Sequence, residues 1–258
     1  MATLQHGDVS LNYQTFGNPA NPALIFSNSL GTTYRMWQPQ IDALQNDFYI
    51  ITYDTRGHGG STAPDQPFTI EQLGDDVIAL LDHLQVKQAH FCGISMGGLT
   101  GQWLAIHRPE HFAKIVVSNT AAKIGNEAAW KDRVALVREQ GLQPIADTAA
   151  GRWFTPSFID AHPDVIAAMS QDLANGSAFG YANCCEALAV ADLRTEIKDT
   201  KTPLMVVVGT EDPVTTLPDG EYIQLQVAGS QLATVAASHI ANIEKPTEFT
   251  QILRDFFA

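Results

Sequence analysis

The segment Gly93-Ile94-Ser95-Met96-Gly97-Gly98 constrains this chain more than any other feature. A strand-like apolar run over 88–92 precedes it. A helical pattern over 96–108 follows, with Leu99, Trp103 and Ile106 on one face and Pro109 as a stop. A serine between glycines at a strand-to-helix junction reads as a nucleophile elbow. The turn is so tight that side chains at 93 and 97 would meet neighbouring backbone, which explains the glycines. Such a turn lifts the Ser95 hydroxyl clear of the sheet. It also starts a helix at Met96, whose N–H then faces the place where an oxyanion forms. A glycine-flanked serine in an ordinary loop is the alternative, and the flanking strand and helix count against it.

A strand feeding a helix implies further units of the same kind. Ala23–Ser27 and 48–53 read as buried strands rich in apolar, β-branched and aromatic residues. Thr69 followed by Gln72 predicts a capping box, and Ile70, Leu73, Val77, Leu80, Leu81 and Leu84 make one stripe at helical spacing. Strands are expected at 115–117, 203–208 and 232–235, and an amphipathic helix at 247–257. The alternation predicts an α/β fold, a mostly parallel central sheet flanked by helices. The interval 121–198 has no strand-like run. Trp130, Val134 and Val137 share a stripe there, and 160–173 reads as one helix. The expected organisation is a core from 1–120 and 199–258, with a helical cap at 121–198 inserted before the acid-bearing strand.

A serine hydroxyl needs a neighbouring base at neutral pH. Ser238-His239-Ile240 follows the 232–235 strand and supplies one. His107, His111 and His162 read as surface or helix-end residues, His58 as part of a turn, and His90 as packed within a strand. The acid is read as Asp212, in Gly209-Thr210-Glu211-Asp212-Pro213 after the strand at 203–208; Glu211 is its competitor. The order Ser95, Asp212, His239 is that of a triad built on an open parallel sheet. A second oxyanion donor is expected from Asn28-Ser29-Leu30-Gly31-Thr32-Thr33. Leu30 N–H is the candidate beside that of Met96, and Gly31 lets the loop approach a substrate.

Composition excludes several other readings. With 258 residues the chain can bury a full core, and its net charge of -13 argues against nucleic acid and anionic membranes as partners. The first residues show no basic segment before an apolar run, and no apolar stretch is long enough to span a bilayer. Cys92, Cys184 and Cys185 are an odd set with two adjacent members. That suggests no disulfide framework, and the cytoplasm is the expected compartment. The histidines lack metal-ligand spacing, so neither a metal nor an organic cofactor is expected. The oligomeric state stays open.

Asp54-Thr55-Arg56-Gly57-His58-Gly59-Gly60-Ser61 resembles the D-x-R-G-x-G-x-S turn of α/β-hydrolases. With the elbow, 203–212 and Ser238-His239, that resemblance spans nearly the whole chain. A narrower resemblance is to 3-oxoadipate enol-lactonases. It is carried by Ser27-Asn28-Ser29-Leu30-Gly31, by Tyr53 through Gly59, by Gly180-Tyr181-Ala182 and by Ala237-Ser238-His239-Ile240-Ala241-Asn242. Asn28-Ser29 stands where many hydrolases carry His-Gly. The resemblance implies an α/β-hydrolase fold and a carboxylic ester hydrolase. It implies a serine lactonase that opens 3-oxoadipate enol-lactone to 3-oxoadipate in the β-ketoadipate route of aromatic acid degradation.

That substrate is a small anionic lactone, and an acidic protein needs a local cation to hold it. Trp130, Lys131, Arg133, Arg138 and Arg152 are available in the cap. Arg133 could pair bidentately with the carboxylate, and Trp130 could offer an indole N–H and an apolar wall. The alternative is that Trp130 packs in the cap core and the cations are solvated. The same triad would also serve a carboxylesterase, a carbon–carbon bond hydrolase or a perhydrolase, and a non-catalytic receptor could retain it. A haloalkane dehalogenase needs a carboxylate where Ser95 stands.

Overall fold

The computed structural model describes residues 2–64 and 66–258. They form one eight-stranded sheet flanked by helices. The strands are β1 (Ala2–His6), β2 (Val9–Phe16), β3 (Ala23–Ser27), β4 (Tyr49–Tyr53), β5 (Ala89–Ile94), β6 (Phe112–Ser118), β7 (Leu204–Gly209) and β8 (Gln231–Val235). Their order across the sheet is β1-β2-β4-β3-β5-β6-β7-β8. β1 and β2 are an antiparallel hairpin that joins antiparallel to β4, and the remaining pairs are parallel.

Every residue of β3, β5 and β7 is buried, as parallel strands covered on both faces require. Each fully buried Val, Leu or Ile there contributes roughly 1.5–3 kcal/mol. The register sets Ser27 beside Gly93, Ile94 beside Ser118 and Gly209 beside Val235. The loops leaving β3, β5, β6, β7 and β8 therefore emerge along one edge of the sheet.

The capping box at Thr69 and Gln72 forms as expected and opens the Ile70–His83 helix. The helix after the elbow, Met96–His107, departs from its single-stripe expectation. Met96 through Ala105 are all buried, and Ile106 is only half-buried. Gly97, Gly98 and Gly101 let neighbouring groups close in on every side of it.

Between β6 and β7 the described residues form six α-helices and no strand, from Glu127–Gln140 to Ala178–Val190. The single helix expected over 160–173 is two, Pro156–Ala161 and Pro163–Ala174. Pro163 lacks an N–H and forces His162 out of helical geometry (φ -131°, ψ 51°). This helical layer touches the sheet turn at one very close point. Gly57 has φ +78°, and a Cβ on it would lie 2.6 Å from the Cα of Gly180. Backbone therefore packs on backbone, and both motif segments need glycine there. The turn is also pinned from below, because Arg56 grips Asp76 of the Ile70–His83 helix through two 2.7 Å hydrogen bonds.

The hairpin of β1 and β2 and the helices Gln38–Leu44 and Leu217–Gln226 were not expected from the sequence. The alternation Val9-Ser10-Leu11-Asn12-Tyr13-Gln14 runs unbroken within β2, and buried Asn12 donates to Asp54 at 2.7 Å. The Leu217–Gln226 helix buries only Gly220 and Ile223, too few for a stripe. Among the described residues no helix is long and apolar enough to cross a membrane.

Candidate active site

Ser95 sits between β5 and its helix with φ 58° and ψ -116°. A non-glycine residue in such a region costs about 1–3 kcal/mol, so its surroundings must hold it there. A Cβ on Gly93 would lie 2.2 Å from the Gly97 carbonyl oxygen, and one on Gly97 would lie 2.4 Å from that of Ser27. Both glycines are therefore obligatory. Ser95 N–H donates to Ser118 (3.0 Å) and Thr120 Oγ1 donates to the Ser95 carbonyl (2.8 Å), which fixes the elbow to the end of β6.

The loops after β7 and β8 bring Asp212 and His239 together. His239 Nδ1 lies 2.8 Å from Asp212 Oδ2, and both residues are buried. With Asp212 as acceptor, Nδ1 carries the proton and Nε2 is left free as the basic nitrogen. The Asp212 carboxylate is held by more than histidine. Thr215 Oγ1 (2.8 Å) and Asn119 Nδ2 (3.0 Å) donate to Oδ2, and the N–H groups of Val214 (2.7 Å) and Thr215 (3.1 Å) donate to Oδ1. Burial opposes ionisation of Asp212. The hydrogen bonds from His239, Asn119 and Val214 outweigh it and hold the carboxyl below its ordinary value. Glu211, the competitor, is exposed.

Asn119 and Thr215 escaped the sequence reading. Asn119 has a positive φ of 44° at the end of β6, and its Nδ2 also donates to the Ser238 carbonyl (3.1 Å). An asparagine directly after a parallel strand, where left-handed backbone favours it, was the available signal.

Ser95 and His239 line one cavity of about 180 Å³ with Ser29 and Leu30 on the core side. Among the described residues the N–H groups of Leu30 and Met96 donate to no other protein group. Gly97 N–H, one residue on, is already engaged by the Asn28 carbonyl (3.1 Å). The Leu30 loop is steadied from behind by His58, whose Nε2 accepts the Gly31 N–H at 2.9 Å. Acceptance requires a neutral ring. Burial lowers the His58 pKa against the opposing pull of the Arg56 carbonyl and Asp54, which favours that form. His58 is thus a brace in the turn.

The far wall comes from the helical layer, including Trp130, Arg133, Arg152, Trp153 and Tyr181. Trp130 supplies the apolar wall that was expected, but not the N–H. Its indole donates to the Ile124 carbonyl at 2.7 Å. Arg133 lies over the Trp130 ring, 5.0 Å from its centroid. Lys131 and Arg138 lie away from this cavity. Each pairs with a carboxylate, Lys131 with Glu127 and Arg138 with Glu186. Among the described residues the Arg152 guanidinium donates only to Thr148 Oγ1 (2.6 Å) and the Ile145 carbonyl (3.0 Å). Burial, then the like charge of Arg133, lowers its pKa. Among the described residues neither Arg133 nor Arg152 has a carboxylate partner.

Cys184 and Cys185 are buried, and burial pushes both thiols up, Cys185 to about 12. Neither is activated as a nucleophile. Among the described residues no group of His, Cys, Asp and Glu is arranged to hold a metal ion.

The arrangement sets the elbow serine in one cavity with the histidine of a histidine–carboxylate dyad, with two N–H groups that have no protein acceptor and two arginines that have no carboxylate partner among the described residues. The model of the α/β-hydrolase fold family matches residues 22–246. The chain is 59% identical over 247 residues to 3-oxoadipate enol-lactonase 2 of Acinetobacter baylyi, covering 96% of this chain and 92% of that one. To 3-oxoadipate enol-lactonase 1 of the same organism it is 43% identical, with the same coverage. The crystal structure of the enol-lactonase from Burkholderia xenovorans LB400 superposes with a TM-score of 0.97 at 40% identity, covering 99% of each chain.

Proposed function

This chain belongs to the α/β-hydrolase family, among the 3-oxoadipate enol-lactonases, and we propose that it opens 3-oxoadipate enol-lactone to 3-oxoadipate by acyl transfer through Ser95. It is a carboxylic ester hydrolase. In this reading His239 Nε2 takes the proton as Ser95 Oγ attacks the lactone carbonyl. Leu30 and Met96 N–H groups hold the tetrahedral oxyanion; a donor of this kind contributes about 3 kcal/mol to the rate. Collapse breaks the ring C–O bond, and His239 returns the proton to the departing enol oxygen. That enol stays tethered to the acyl group and can become a ketone, so its return is disfavoured. His239 then activates water, which releases the second carboxylate and restores Ser95.

The single observation that carries the substrate choice is the cation pair, Arg133 and Arg152, left without carboxylate partners among the described residues on the wall opposite the serine. A guanidinium presents a fork that suits a carboxylate, and a neutral ester gives no reason to place two like charges there. In the same reading residues 121–198 form the cap, which supplies recognition. A cytoplasmic setting is in keeping with the three free cysteines, and a small-molecule partner with the size of the cavity.

The test is turnover of freshly prepared lactone, followed by its ultraviolet absorbance, beside a neutral activated ester and with Ser95→Ala as control. Lactone turnover far above ester turnover, abolished in the variant, supports the reading. Slow lactone turnover with good ester turnover overturns the substrate and leaves an esterase.

A further inference from the structure

Glu244 is a buried carboxylate that the acyl-transfer steps do not use. It ends the short Ala241–Glu244 helix behind His239 and is 8% exposed. Three donors converge on it from two distant parts of the chain. Ser238 N–H donates to Oε2 at 3.0 Å, from the residue just before His239. Thr155 N–H donates to the same oxygen at 3.4 Å, and the Thr155 hydroxyl donates to Oε1. Thr155 lies two residues beyond the cavity-lining Trp153 and opens the Pro156–Ala161 helix by accepting from Phe158 N–H at 3.4 Å. A second strut runs alongside, since Ile240 N–H donates to the Trp153 carbonyl at 2.9 Å. Both neighbours of His239 are therefore fastened to residues 153–155.

We infer that Glu244 is a positioning residue that locks the His239 loop to the cap, so that the base and the Trp153 wall hold their places as one body. The inference rests on His239 being the base. Asp212 fixes the ring from its Nδ1 side, but the backbone carrying the ring needs its own anchor. The loop is short; Asn119 holds the Ser238 carbonyl from the core side, and Ser238 N–H on Glu244 holds the loop to the cap side. Loss of the carboxylate leaves the N–H groups of Ser238 and Thr155 without a partner and the Thr155 hydroxyl with only Ser157 Oγ (3.1 Å), and the loop and the cap segment can relax apart. A displacement near 1 Å of a catalytic group costs on the order of 100-fold in rate.

The experiment compares Glu244→Ala, Glu244→Gln, Thr155→Val and the double variant Glu244→Ala/Thr155→Val, on the lactone and on p-nitrophenyl acetate. Glu244→Ala is expected to lower kcat on both substrates by about 10- to 100-fold. Glu244→Gln keeps an acceptor for Ser238 and can pair with the Thr155 hydroxyl, and is expected to recover kcat to within about fivefold of wild type. Thr155→Val loosens only the cap side and should raise KM for the lactone several-fold. In the Glu244→Ala background it should add less than about twofold, because the two act as one unit.

A folded Glu244→Ala with kcat on p-nitrophenyl acetate within twofold of wild type overturns the inference. So does a glutamine variant no better than alanine, or full additivity in the cycle. If Glu244→Ala does not fold, the same cycle run with Glu244→Met, which fills the space without an acceptor carboxylate, decides, and additivity there overturns it as well. Absence of lactone turnover in the wild type would defeat the substrate reading alone, since the p-nitrophenyl acetate arm still tests the lock.

Discussion

Asp212 lies behind the cavity-lining His239, Arg133 lines the opposite wall, and the two are held in opposite ways. Asp212 grows from the end of a buried strand and accepts hydrogen bonds from His239, Thr215, Asn119 and two backbone N–H groups. Arg133 grows from a cap helix, rests on an indole face, and pairs with no carboxylate among the described residues. Full hydrogen bonding fixes a group in one place, which suits a residue that must orient an imidazole through a transition state. A cation left without a counter-charge keeps its strongest interaction for a ligand. In the proposed reading the core wall is satisfied before substrate arrives, and the cap wall becomes satisfied only when it does.

The contrast is sharpest if the cations are removed. Replacing Arg133 or Arg152 with methionine is expected to raise KM for the lactone by about 10- to 100-fold, the size of one hydrogen bond to a charged group, with kcat little changed. Turnover of neutral p-nitrophenyl acetate should be unaffected. If both substrates suffer equally, the arginines serve the cap's structure and the comparison breaks. On the core side the opposite split is expected. Asn119→Ala removes a donor to both Asp212 and the Ser238 carbonyl, and should lower kcat by about tenfold on both substrates with KM nearly constant.

A smaller effect concerns pH. Because Asp212 titrates below its ordinary value when folded, its contribution to stability is fully present above the ordinary value. It is lost as pH falls through the folded value. Thermal unfolding followed from pH 7 down to pH 3 should therefore show a falling midpoint, with a shallower fall in Asp212→Asn. An equal fall in both would assign the acid sensitivity to other carboxylates.

The core wall was far more legible than the cap wall, for a physical reason. Ser95, Asp212 and His239 each follow a strand that reads as an apolar run, and neighbouring residues give each away. Gly93 and Gly97 mark the elbow, and Pro213 follows the acid. The cap depends on pairings between distant segments. That Trp130 gives its N–H to Ile124 depends on the path of the loop before its helix, which no local pattern encodes. Lys131 could have been set aside from the sequence, since Glu127 stands four residues before it on the same helix. The break at Pro163 was equally readable, yet the apolar spacing on either side masked it. The second strand of the first hairpin was equally readable, since Val9-Ser10-Leu11-Asn12-Tyr13-Gln14 alternates apolar and polar.

The seam at Gly57 and Gly180 limits how such a molecule can diversify. Two chain segments cross there with only hydrogen atoms between them, so the gap between the recognition layer and the chemical layer has a fixed minimum. A cap exchanged for one of different shape can alter every helix that meets the ligand, provided that the crossing keeps its two glycines. A methyl group at either would act as a wedge, tilting the whole layer and with it every cavity-lining residue the cap contributes. Two of the smallest residues in the protein thereby set how closely the helical layer can approach the sheet turn.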